Sequence, residues 1–186
     1  MIKTKKDLLD CLTYEKKIYL ITSKHAMRLF LVNDQDYLLW QLIKNLRKLE
    51  FHRNNNHRFR ALYYERKKNY FAHKCGVFLN PNTVGKGLKI WHYGDIIIHD
   101  HAVIGDNCQL HGMNCIGNKG VSGSGTPIIG NNANIGVGAK IIGDITLADN
   151  ITIAANAVVT KSCDINGAVL AGIPAVVIGR VNNDVI

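Results

Sequence analysis

Aliphatic residues recur at every sixth position from Ile129 onward: Ile129, Ile135, Ile141, Leu147, Ile153, Val159 and Ile165. With an aliphatic residue expected at roughly one position in four, such a run has a chance probability on the order of 10⁻⁴. The positions four later in the first six repeats are Ala133, Ala139, Ile145, Ile151, Ala157 and Cys163, all small or apolar. The same period runs upstream through Ile98, Ile104, Leu110 and Ile116. This is the repeat of a β-helix solenoid. Each hexapeptide supplies one short strand and one turn of a triangular coil. The aliphatic side chain points into a narrow prism and stacks on its counterpart 18 residues on, three repeats later. The small residue lets the turn close. Gly105, Gly117, Gly130 and Gly136 follow aliphatic positions, and with Asn107, Asn131, Asn132 and Asn150 they are expected to take positive φ at the corners.

The period breaks twice, and breaks in a repeat scaffold are where binding residues are usually carried. Between Ile90 and Ile98 the spacing is eight, and His92 lies in that stretch. Between Ile116 and Ile129 it is thirteen. That second stretch, Gly117 to Pro127, is rich in Gly and Ser and reads as an extruded loop.

Residues 1–75 follow another pattern. Apolar positions at Leu38, Leu39, Leu42, Ile43, Leu46 and Leu49 have the three- and four-residue spacing of a helix that Asp36 opens. A short helix is expected from Thr4 or Lys5 to Leu12, and a second one is capped by Ser23. Asn54-Asn55-Asn56 is a break, a basic helix covers Arg58 to Phe71, and Cys75-Gly76 closes the helical part. The chain therefore divides into a helical region, 1–75, and a β-helix domain, 76–186.

Charge follows the same division. Residues 1–75 carry 17 Lys+Arg against 7 Asp+Glu, and residues 76–186 carry 6 against 7. A basic face of this kind suits an anionic polymer or a membrane surface, or is simply solvated. No helix-turn-helix, zinc-finger or RNA-binding signature accompanies it, so nucleic acid is not expected. Five cysteines without a C-x-x-C pair argue against a disulfide framework or a zinc knuckle. The N-terminus lacks the apolar core of a secretory signal, and no apolar run is long enough for a membrane span. A cytoplasmic protein is expected, with membrane association through the basic helices as an option.

Three strings carry a family resemblance: KGLKIWHYGDIIIHDHAVIGDNCQLHGMNCIGNKG, IIGNNANIGVGAKIIGDITLADNITIAANAVV and LAGIPAVVIG. Over roughly residues 76–180 they resemble the serine acetyltransferase-like branch of the hexapeptide-repeat acyltransferases. The resemblance implies a left-handed coil, a homotrimer, and acetyl-CoA as a co-substrate lying between neighbouring prisms, with no tightly bound cofactor. It implies that His92 is the catalytic base. An acceptor hydroxyl is a poor nucleophile until a base takes its proton, and imidazole is the side chain that ordinarily titrates near neutrality. Gly138, Ala139 and Lys140 match the family's cofactor step, and Ala157 continues that line one coil later. Lys161 and Arg180 are candidates for the CoA phosphates. Ala171, Gly172 and Pro174 match the closing segment that borders the cofactor.

Departures from the family set the remaining expectations. The carboxylate that orients the base is replaced by Phe78, three residues before Pro81, which leaves Asp95, Asp100 or a backbone carbonyl to serve. His111, 19 residues after His92, is a candidate acceptor ligand or support for the base. The family's second loop histidine is Thr126 here, before Pro127, which argues against L-serine. The reading favoured on these grounds is an O-acetyltransferase acting on a sugar hydroxyl, like those of bacterial capsule and exopolysaccharide synthesis. Serine O-acetyltransferase and a non-catalytic β-helix scaffold are the alternatives. The histidines also bring to mind metal-dependent carbonic anhydrases of the same fold class, but their spacing does not match and no metal is expected.

Overall fold

The computed structural model describes residues 1–19, 23–121 and 123–181, with backbone only for residues 23–25. Four helices lead: α1 (Lys5–Ile18), α2 (Ser23–Leu31), α3 (Gln35–Asn54) and α4 (Arg58–Cys75). Thr4 caps α1 through a reciprocal capping box with Asp7, and the Asp34 side chain accepts from the Asp36 amide at the start of α3. Gly76, at φ 62°, ends α4 in the left-handed conformation. The capping side chain expected at Ser23 lies outside the described residues. Helix α1 runs six residues past the expected Leu12, because Glu15 and the following Tyr19 are buried against the coil.

From Val77 the chain visits three sheets in rotation, with Val84 and Cys163 as single bridges at the two ends of the second. Val77–Phe78, Ile96–Ile98, Cys115–Gly117, Lys140–Ile142 and Val158–Val159 stack in one sheet. Val103–Ile104, Ile128–Ile129 and Thr146–Leu147 form the second. Lys89–Ile90, Gln109–Leu110, Asn134–Ile135, Thr152–Ile153 and Ala168–Gly172 form the third. All these pairings are parallel, as a coil requires, and only the closing strand Ala175–Arg180 turns back antiparallel on Ala168–Gly172.

The inner ladders are the periodic aliphatics. Ile90, Leu110, Ile135, Ile153 and Leu170 stack on one wall, and Ile98, Ile116, Ile141 and Val159 on another. Ile104, Ile129 and Leu147 stack on the third. Each is at most 3% exposed. At the end of the run the stacking residue under Leu147 is Cys163, while Ile165 is only partly buried. The core is continuous with Leu39, Leu42, Ile43 and Leu46 of α3. Among the described residues no helix is long and apolar enough to cross a membrane.

The corners divide their work between two residue types. Asn107, Asn132 and Asn150 take the positive φ, and their amides form a ladder: Asn107 donates to Asn132 at 3.1 Å, Asn132 to Asn150 at 2.9 Å and Asn150 to Asn166 at 2.8 Å. Asn131 does not take positive φ; its side chain accepts from the Asp106 amide instead. The glycines after the aliphatic positions do not take positive φ either. Gly105, Gly130 and Gly136 are glycine for lack of room between coils: a Cβ on Gly130 would lie 2.7 Å from the Asp149 nitrogen and 2.8 Å from the Ala148 carbonyl carbon. Gly130→Ala is therefore expected to destabilise the coil by about 1–3 kcal/mol, read as a lower urea midpoint with an unchanged slope.

All five cysteines are free, and all but Cys115 are buried. Desolvation pushes the Cys75 thiol up to about 11 and the Cys108 thiol up to about 12, which keeps both in the unreactive form.

Candidate active site

The eight-residue spacing becomes an outward turn, Trp91 to Asp95, on top of the third sheet. Its first residue is held from both sides. The Trp91 amide donates to the Leu110 carbonyl at 2.8 Å, and Gln35 of α3 donates to the Trp91 carbonyl at 2.9 Å. The preceding Ile90 amide donates to the Tyr19 hydroxyl, which donates in turn to the Leu88 carbonyl. The helical region thus grips the strand that delivers His92. Beyond it, Gly94 (φ 113°) and Asp95 (φ 46°) turn the chain back, and the Gly94 amide donates to the Cys75 carbonyl.

His92 is exposed and borders an open cleft of ≈ 490 Å³. His111 enters the same cleft, with Asn134, Gly136, Val137, Thr152, Ile153 and Ala155. His111 is fixed on two sides: its Nε2 lies 2.8 Å from Asn134 Oδ1, and its ring stacks on Trp91 with centroids 5.8 Å apart. With the amide oxygen accepting, Nε2 carries the proton and Nδ1 holds the lone pair. Among the described residues no hydrogen bond or ion pair reaches the His92 imidazole.

Two residues under His92 were not singled out from the sequence. A Cβ on Gly112 (φ 109°) would lie 3.2 Å from the His92 carbonyl oxygen. Buried Asn114 accepts from the Gly112 amide at 3.0 Å and donates to the Gly136 carbonyl at 2.8 Å, tying the floor of the turn to the next coil. Gly112→Ala is expected to strain the turn that carries His92, read as a fall in the urea midpoint with an unchanged slope.

The other sequence candidates scatter. Asp95 is exposed at the end of the His92 turn. Asp100 pairs with His99 Nδ1 at 2.9 Å and lines a separate cleft with Phe78, Ile97 and Asn118, so it does not support His92. Ala139 and Ala157 are buried inside the prism, and the Ala157 carbonyl accepts from the Lys140 amide. Gly138 (φ 73°) donates to the Gly112 carbonyl, and Lys140 Nζ donates to the Met113 carbonyl at 2.6 Å. At this level the cleft wall is Gly136, Val137 and Ala155, not the three matched positions. Lys161 and Arg180 are exposed; Ala171 and Gly172 end strand Ala168–Gly172, and Pro174 lies in the turn of the closing hairpin.

No protein-family model matches the chain. It is 35% identical over 107 residues to the serine acetyltransferase of Synechococcus elongatus, covering 56% of this chain and 43% of that protein. The soybean serine acetyltransferase apoenzyme has the same fold, with a TM-score of 0.72 over 92% of this chain and 69% of that one, at 22% identity. The Brucella abortus serine acetyltransferase in complex with coenzyme A superposes with a TM-score of 0.64 and 28% identity, over 75% of this chain and 55% of that one. The chain is similar to serine acetyltransferases. It spans about half the length of the curated relatives it matches.

These relatives correct one expectation. The departures at Phe78 and Thr126 pointed to a polysaccharide acceptor, yet the matching curated proteins are serine acetyltransferases. The inference from Thr126 gave one loop position more weight than the remainder of the coil. The likeness to the soybean apoenzyme covers 92% of the chain, so a helical region ahead of the coil is part of that fold.

Proposed function

We propose that this serine acetyltransferase-like chain transfers an acetyl group from acetyl-CoA to the hydroxyl of serine, with His92 as general base. The observation that carries the reading is an exposed imidazole on a built turn, at the edge of a cleft, in a chain 35% identical to a serine acetyltransferase over 107 residues. His92 takes the proton of the acceptor hydroxyl, the oxygen forms a bond to the thioester carbonyl carbon, and the C–S bond breaks to release CoA thiolate, which recovers the proton. His111, held by Asn134 and Trp91, is the second polar group of the cleft and is suited to the acceptor. The chemistry needs no metal at the reacting atoms.

The remaining features belong to the same proposal. Residues 1–75 hold the His92 strand in place, and residues 76–186 form the catalytic coil, which winds left-handed as in the relatives. Acetyl-CoA lies along the coil towards Gly138 and Lys140, with Lys161 and Arg180 as phosphate partners, and the hairpin at Ala171, Gly172 and Pro174 closes the groove. The working form is a homotrimer in the cytoplasm. Apolar outward residues Phe78 and Ile97 on one sheet, and Val103 and Ile128 on the next, are 49–59% exposed in the single chain and suit burial between prisms.

The test is product identification after incubation with acetyl-CoA and an acceptor panel of L-serine, L-threonine and neutral hexoses. O-acetylserine as the main product supports the reading. Acetylated sugar without O-acetylserine overturns it.

A further inference from the structure

A second group of histidines lies on another face of the coil. His99, Asp100 and His101 occupy the corner after strand Ile96–Ile98, and their donor atoms all lie within 4.8 Å of one another. Among the described residues this is the one place where three such donors converge. The corner is tightly specified. The His101 amide donates to His99 Nδ1 at 3.2 Å, the Ala102 amide donates to the His99 carbonyl at 3.0 Å, and Thr126 of the extruded loop donates to the His101 carbonyl at 2.9 Å. The two imidazole rings meet edge to face, 5.5 Å apart.

The His99 ring has several partners: Nε2 lies 3.4 Å from the Asn118 amide nitrogen, and two groups compete for Nδ1. If Nδ1 accepts the His101 N–H, its lone pair faces a carboxylate oxygen of Asp100 only 2.9 Å away. If instead Nδ1 carries a proton for Asp100, the His101 amide loses its acceptor. A cation in the notch between the ring nitrogen and the carboxylate takes the single Nδ1 lone pair and stands in for a proton shared with Asp100, leaving the His101 amide to water. Two ligands at about 2.0–2.1 Å from one tetrahedral metal lie about 3.3–3.4 Å apart, a small side-chain adjustment from the 2.9 Å found here. All three residues are at least partly exposed in the single chain.

We propose that His99, Asp100 and His101 form a binding site for a divalent transition metal of the zinc, cobalt or nickel class. Two imidazoles and one carboxylate are the donor set such ions prefer over magnesium or calcium. Rotation of the His101 side chain brings its ring nitrogen to the metal, and water completes the coordination. Because Thr126 is bonded to the His101 carbonyl, the metal ties together the corner and the base of the loop. The site is separate from the His92 cleft and rests on none of the catalytic reading.

The experiment uses the full chain, stripped with a chelator. It is titrated with cobalt, read by visible absorption, and with zinc, read by calorimetry. Saturable binding of one ion per chain is expected. His99→Gln and His101→Gln each abolish it, and the exposed Asp100→Asn, which leaves the histidines in place, weakens it. His52→Gln is the control, because His52 and His57 are the other close imidazole pair, with Nδ1 atoms 3.1 Å apart. Far-ultraviolet circular dichroism confirms that each variant is folded. Absence of saturable binding, binding that survives His99→Gln with His101→Gln, or binding lost only in His52→Gln overturns the proposal. Acetyl transfer is not among the readouts, so the two proposals fail independently.

Discussion

Replacing Arg47 by Met is expected to destabilise the chain by about 3–5 kcal/mol, the range for breaking one member of a buried ion network. Arg47 is 2% exposed, in the middle of α3. Its Nη2 lies 2.8 Å from Glu15 of α1 and its Nη1 3.1 Å from Glu50 of α3. The remaining N–H groups reach the carbonyls of Val84 and Gly85 in the first coil. Glu15 also accepts the Gly87 amide, and Glu50 accepts the Asn82 amide. One guanidinium therefore joins two helices to the start of the solenoid. Burial works to lower its pKa, but Glu50 and Glu15 outweigh that and raise it well above its ordinary value. Without Arg47, two buried carboxylates face each other uncompensated. For a chain of this length the loss corresponds to a fall in Tm on the order of 10 °C. Adding Glu15→Gln to Arg47→Met should recover part of it, since one of the orphaned charges is gone. A thermal midpoint within one or two degrees of wild type would show the network to be dispensable.

His92→Gln is expected to lower kcat by about 10²–10⁴, the usual contribution of a positioned general base. The imidazole makes no hydrogen bond to the fold among the described residues, so its removal leaves the coil intact, and thermal stability should match wild type. The cleft walls beside His92 come from Gly136, Val137, Thr152, Ile153 and Ala155, which the substitution leaves in place, so the KM for acetyl-CoA should change little. Loss of acetyl-CoA binding together with turnover would instead make His92 a binding residue.

The inner ladders were legible because one wall of the prism accepts only aliphatic side chains, and a six-residue period repeats that demand at every coil. The breaks were legible for the same reason, and they appear in the structure as register jumps. Ile90 pairs with Leu110, 20 residues on, and Leu110 with Ile135, 25 on, where an unbroken coil gives 18, as between Ile135 and Ile153. That arithmetic also reaches the outward row Gln109, Asn134 and Thr152, which would have identified Asn134 and Thr152 as neighbours of His111. Gly112 and Asn114 left no periodic trace, since a turn floor answers to a single backbone contact.

Harder to read were the charges in the helices. Glu15, Arg47 and Glu50 resemble the solvated charges around them, and only the docking of α1 and α3 on the coil buries all three. The extension of α1 to Ile18 has the same tertiary origin, for Tyr19 gains its two hydrogen bonds from Leu88 and Ile90. Gly105, Gly130 and Gly136 were read as conformational and prove steric, because a sequence shows the residue but not the backbone of the next coil above it.

The most direct test of the catalytic reading is release of CoA thiol from acetyl-CoA, with and without L-serine, by wild type and by His92→Gln. Serine-dependent release by wild type, reduced at least 10²-fold in the variant at unchanged stability, is the predicted result. Equal release by the two proteins, or release by wild type that does not respond to serine, would contradict it.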